Sequence, residues 1–127
     1  MPFRNLGFDE ASTNNVSYIQ PYVDGAGRGS FPRGSGTTVD LLPGWQYMDE
    51  ANKPIPTLGF NYVDFFATPS TILGRETSFL GYPVEDRYGI FISAGADGGS
   101  RSLVQRGDVP VDKPFLRYSY KGSPGSL

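Results

Sequence analysis

Short clusters of β-branched and aromatic residues, cut by glycine and proline, recur along the whole chain. That pattern predicts strands. No window of a dozen residues holds a 3.6-residue apolar period free of Gly or Pro, so little helix is expected. Phe3 to Phe8 reads as a short first strand. Val16 to Val23 is extended, and Pro21 puts it at an edge or breaks it. Asp24 to Thr37, crowded with Gly and Ser, reads as a long irregular segment. Leu41 and Leu42 lead into a Pro43-Gly44 turn, after which Trp45 to Met48 resumes extended structure. Asn52 to Pro56 is a second turn region.

In Phe60 to Phe66 the alternation is imperfect. Phe60, Tyr62 and Asp64 share one face; Asn61, Val63 and Phe65 share the other. Thr77 to Gly81 is a further short strand candidate. The plainest element is a predicted hairpin, with Tyr88 to Ser93 and Ser102 to Gln105 as arms and Asp97-Gly98-Gly99 supplying the turn. Phe115 to Tyr120 follows as a last strand. The sum is six or seven short strands with turn signals about every ten residues, the pattern of a sandwich or barrel. A single all-β domain over residues 1–120 is expected, with 121–127 as a linker-like tail.

Composition sharpens this reading. With 127 residues the chain has room for one domain. Its 17 Gly and 11 Pro approach the level at which disorder becomes a concern, but 14% aromatic residues supply material for a core. The net charge is −2 and the cations are scattered, so the clustered positive footprint of a nucleic-acid binder is missing. No apolar stretch is long enough to span a membrane. No charged leader followed by an apolar core precedes the body, so no signal peptide is read here. The chain has no Cys and no His, which excludes disulfides, thiolate catalysis, thiolate or imidazole zinc sites and imidazole acid–base chemistry.

Four motifs stand in order: Asn5-Leu6-Gly7-Phe8-Asp9, Leu42-Pro43-Gly44-Trp45, Tyr88-Gly89-Ile90-Phe91-Ile92-Ser93-Ala94-Gly95 and Leu103-Val104-Gln105-Arg106-Gly107-Asp108-Val109-Pro110. The series resembles the N-terminal galactose-binding-like domain of exported bacterial proteins that end in a PEP-CTERM sorting segment. The resemblance covers nearly the whole chain. It implies an all-β, jelly-roll (galactose-binding-like) sandwich at the cell surface or outside it. Members usually begin with a signal peptide and continue into further strands and a sorting segment. By that comparison this chain reads as a fragment or a shortened relative, incomplete at its C-terminus.

Candidate chemistry is sparse. Trp45 could offer a ring for sugar stacking, although a lone Trp in such a strand more often anchors a core. Tyr47, Tyr62 and Tyr82 are the first choices for carbohydrate contacts. Asp9 and Glu10 follow the first predicted strand. In the related modules, an acid at that place contributes to a calcium site, and hard cations need only oxygen ligands. Structural calcium is the one cofactor the resemblance implies.

The pairs Asp9/Glu10, Asp49/Glu50 and Glu85/Asp86 cannot each serve as a glycosidase dyad, because adjacent strand residues point to opposite faces. Gly25-Ala26-Gly27-Arg28-Gly29 lacks the Lys-Ser/Thr of a phosphate loop. Asn15-Val16-Ser17 matches a glycosylation sequon, and Arg106-Gly107-Asp108 is best explained by a strand end and turn. The leading expectation is a non-catalytic, carbohydrate-binding surface module. The alternative is a structural or assembly protein of a surface matrix, associating through open strand edges.

Overall fold

The computed structural model describes residues 2–63, 70–81, 84, 87–93 and 100–115. Among them the chain forms nine short strands: β1 (Ser17–Tyr18), β2 (Tyr22–Val23), β3 (Ser30–Phe31), β4 (Gly34–Thr37), β5 (Gln46–Met48), β6 (Thr57–Phe60), β7 (Thr71–Gly74), β8 (Tyr88–Phe91) and β9 (Ser102–Val104). Among the described residues helix is confined to one turn, α1 (Thr38–Leu41), and a 3-10 helix over Arg75–Leu80. The fold is therefore β-rich, as the pattern predicts. No helix of the described residues is long and apolar enough to cross a membrane.

A five-stranded sheet runs in the order β1-β4-β6-β7-β8, with β2-β3 and β5-β9 as separate two-stranded ribbons. All pairings are antiparallel except β6-β7, which is parallel with Phe60 opposite Ile72. That parallel pair departs from the antiparallel plan of a jelly roll.

Alternation along the sheet sends side chains to two cores. Leu58, Phe60 and Ile72 join Leu41, Leu42 and Tyr47, with Trp45, Tyr88, Ile90 and Leu103 packed around them. Leu73 joins Tyr22, Phe31 and Val63, with Phe79, Leu80, Val84 and Phe91 around them. The sheet is thus covered on one face by α1 and the β5-β9 ribbon, and on the other by the β2-β3 ribbon and the 3-10 helix. Each fully buried Leu or Ile contributes about 1.5–3 kcal/mol. Leu41, Leu42 and Ile72 are of this kind.

Several expectations are corrected. The segment 24–37 is not one irregular loop. It holds β3 and the inner strand β4, in register with β6 from Gly34↔Phe60 to Thr37↔Thr57. Its glycines conceal a strand. A Cβ on Gly34 would run into the Ser17 carbonyl, so only glycine lets β1 and β4 approach this closely. Strand β7 lacked an alternation signal because all four of its residues are buried.

The predicted hairpin does not form: β8 pairs with β7, and β9 pairs with β5. Phe3 to Phe8 is a turn rather than a strand, with Asn5 and Phe8 at φ 54° and 63°. Thr77 to Gly81 lies in the 3-10 helix and its left-handed cap at Gly81. Val16 to Val23 is extended but broken into β1 and β2, as Pro21 predicts. The strand predicted from Phe60 has already run from Thr57 and ends at Phe60, and residues 64–66 lie outside the described ones. So do residues 116–120 of the predicted last strand and the predicted 121–127 tail.

Just after β6 comes Asn61, which is wholly buried and left-handed at φ 50°. Asn tolerates that conformation better than most residues. Its backbone N–H donates to the Ile72 carbonyl (2.8 Å), and its carbonyl accepts from the Val63 N–H (2.9 Å). Its Oδ1 accepts from the Gly74 N–H (2.8 Å), and its Nδ2 donates to Glu76 Oε1 (2.7 Å) and the Pro32 carbonyl (3.3 Å). One amide thereby ties β6, β7, the 3-10 helix and the β3-β4 connection together.

A second tie holds the β2-β3 ribbon. The Asp24 carboxylate, nearly buried, accepts from the Arg28 backbone N–H (3.0 Å), Nε (2.9 Å) and Nη2 (3.1 Å). Arg28 Nη1 reaches the Phe79 carbonyl (3.4 Å), and the guanidinium carbon lies 5.8 Å from the centre of the Phe79 ring. The ribbon is thus clasped to the 3-10 helix.

Replacing Asn61 with Ala strands the buried Gly74 N–H and removes the left-handed preference. Urea denaturation is expected to show a loss of about 2–4 kcal/mol. The hydrogen bonds from the Arg28 side chain and backbone hold the Asp24 carboxyl at about 2, against an ordinary 3.8. Between those two values the unfolded chain binds more protons than the folded one. The clasp's contribution is therefore present above pH 3.8 and lost as the pH falls toward 2. Stability measured across that window should fall more steeply for the wild type than for Asp24→Asn.

Candidate functional site

Described residues of the four sequence motifs meet in space; Ala94 and Gly95 lie outside the described ones. Asn5 turns left-handed, and its carbonyl accepts from Trp45 Nε1 (2.9 Å) while its Nδ2 donates to the Pro43 carbonyl (3.0 Å). Its Oδ1 accepts from the Glu10 N–H (3.0 Å), closing the turn. Phe8, also left-handed, is held by its N–H to the Asn5 carbonyl (3.1 Å) and by its ring 5.5 Å from the Trp45 ring. A left-handed Phe costs about 1–2 kcal/mol, which the packing on Trp45 offsets.

Asp9 Oδ1 accepts from the N–H groups of Arg87 (3.2 Å) and Tyr88 (3.4 Å) at the start of β8. The Gln105 amide holds both backbone groups of Arg4: Oε1 accepts from its N–H (2.6 Å), and Nε2 donates to its carbonyl (2.8 Å). Pro2 bridges Asp108 in parallel, so Arg106-Gly107-Asp108 lies beside the N-terminal arm.

Two of the predicted sites lie at this junction. Trp45 is half-buried, bonded to the Asn5 carbonyl and packed against the core. Asp9 and Glu10 face N–H donors: Asp9 those of β8, and Glu10 the Arg4 guanidinium at 3.2 Å. Calcium takes about 6–8 oxygen ligands. Among the described residues, no group of three or more acidic side chains gathers that could hold a metal. As placed, the pair joins chain segments through these bonds.

Tyr47 and Tyr62 do come together. They line one cleft of about 340 Å³ with Ser35, Ile55, Thr57, Leu58, Gly59, Ser70 and Arg101. Strands β4 and β6 supply the floor, where Ser35 sits opposite Gly59. A Cβ on Gly59 would lie 2.8 Å from the Tyr62 Cβ and 2.9 Å from Thr71 Oγ1, so glycine lets Tyr62 fold back over the sheet.

The Tyr62 N–H donates to Thr71 Oγ1 (3.0 Å). Arg33 lies 5.8 Å from the centre of its ring and donates from Nη1 to the Val63 carbonyl (2.7 Å). Tyr47 is 5% exposed and lends the cleft little surface, whereas Tyr62 is half-buried and offers more. Ser70 Oγ is engaged with both the N–H and the carbonyl of Ser93. Tyr82 lies outside the described residues.

Sequence reasoning named Tyr47 and Tyr62 as separate candidate contacts, without bringing them together, and did not single out Ser35, Thr57 or Arg101. Ser35 was hidden in the segment read as irregular. Thr57 and Arg101 reach the cleft only through pairings between distant segments.

Comparison with known proteins finds no matching family model, no matching curated protein and no matching solved structure.

Asp9→Ala removes the acceptor for two backbone N–H groups and should cost about 1 kcal/mol in chemical denaturation. Millimolar calcium is expected to leave the melting temperature of the wild type unchanged. A calcium-induced rise that Asp9→Asn abolishes would instead reveal coordination at this carboxylate.

Proposed function

We propose that this chain is a non-catalytic, extracellular or cell-surface module that binds carbohydrate in the Tyr47–Tyr62 cleft. On this reading the β-rich fold is a galactose-binding-like sandwich, and the four ordered motifs form the junction that holds it together. The observation that carries the proposal is the meeting of Tyr62 and Tyr47 with Ser35, Thr57 and Arg101 around one cleft. A sugar presents an apolar C–H face beside polar hydroxyls. A site for it therefore pairs an aromatic ring with nearby hydrogen-bonding groups. Trp45 takes no part, because its ring is committed to Phe8 and its N–H to Asn5.

Affinity electrophoresis in gels loaded with soluble polysaccharides tests the proposal. At least one polysaccharide should retard the wild-type chain. Tyr62→Ala should weaken that retardation about tenfold, or about 1.4 kcal/mol, with an unchanged circular dichroism spectrum. A wild type that no polysaccharide retards would refute the carbohydrate reading.

A further inference from the structure

Tyr47 is a core residue with an open hydroxyl. It shares a core with Leu41, Leu42 and Leu58 and is 5% exposed. A buried tyrosine usually bonds its hydroxyl to a partner. Among the described residues, none bonds the Tyr47 hydroxyl, and no side-chain polar atom is both buried and unpartnered. The hydroxyl is therefore where this side chain reaches solvent, and the cleft that Tyr47 lines is where it does so. The core holds the ring in place, so the hydroxyl is a fixed donor and acceptor with its bonds still to be made.

The hydroxyls of Ser35, Thr57 and Tyr62 line the same cleft and likewise bond no described residue. The guanidinium groups nearby are engaged. Arg33 donates to the Gln20 and Val63 carbonyls (3.0 and 2.7 Å), and Arg101 donates to the Ser100 carbonyl (3.0 Å) and has a further interaction besides. No Asp or Glu lines the cleft among the described residues. What the cleft offers a ligand is a set of hydroxyls beside an aromatic ring. Hydroxyls donate and accept alike, so they match the hydroxyls of an uncharged sugar. A carboxylate seated there would lose water without gaining a cation of its own, which is costly. The net charge of −2 gives an acidic polymer no long-range attraction either.

We infer that the cleft selects an uncharged sugar unit over an acidic one, and that the Tyr47 hydroxyl bonds that unit while its ring lies against Tyr62. This rests on the carbohydrate reading above and narrows it to a substrate class and a contact atom.

The test runs the full chain in affinity gels holding neutral galactan, mannan, xylan or β-glucan, or acidic polygalacturonate or alginate. Retardation by at least one neutral polymer is expected to exceed that by either acidic one about tenfold. Tyr47→Phe removes an oxygen that bonds nothing in the protein, so its urea midpoint should match the wild type. Its retardation should nevertheless weaken about fivefold, the worth of one hydrogen bond. A lowered midpoint, or retardation equal to the wild type, would overturn the role of Tyr47. Equal or stronger retardation by an acidic polymer would overturn the selection of uncharged sugar while leaving carbohydrate binding intact. Retardation by none of the six would overturn both readings.

Discussion

The central sheet depends on how β6 stops. Its last residue, Phe60, sits in the core, and the next, Asn61, must turn the chain while wholly buried. A buried turn exposes backbone and side-chain groups that water cannot reach, and each unpaired one costs about 1–3 kcal/mol. Asn61 meets that constraint by itself. Its backbone bonds β7 and Val63, and its side chain bonds Gly74, Glu76 and Pro32. The parallel partner β7, the 3-10 helix after it and the turn before β4 are positioned by one amide. No buried side-chain polar atom among the described residues is left without a partner.

Much of the remaining architecture uses side chains where longer strands would use ladders. Strands of two to four residues provide few backbone bonds between segments. Gln105 pairs with the backbone of Arg4 as a neighbouring strand would. Asp9 satisfies the start of β8, and Asp24 clasps its ribbon through Arg28. This explains the spread of Asn, Asp and Gln through a Gly- and Pro-rich chain with two small cores.

The cleft is a by-product of the same economy. Gly59 leaves room above the sheet, and Tyr62 fills part of it immediately after the Asn61 turn. The cleft floor therefore inherits its shape from the constraint that ends β6. What it can recognise follows from the few polar groups that reach it.

The sequence alone determined that the chain would be β-rich, because β-branched and aromatic clusters between Gly and Pro fit pleated, half-buried backbone and no helical period runs free of breakers. It located β5, β8 and β9 and marked Pro21 as a break. Partners are another matter. Tyr88 to Ser93 and Ser102 to Gln105 carry the local marks of a hairpin, yet each binds a strand remote in sequence. Local patterning is blind to pairing, which is settled by which apolar faces can be covered together. Likewise, β4 was hidden by glycines that only the neighbouring Ser17 carbonyl makes necessary, and β7 by burial on both faces. Tertiary structure alone decided that Tyr47, Tyr62 and Arg101 share a cleft while Asp9 and Glu10 serve as ties, because a side chain's role depends on the groups that the fold brings to it.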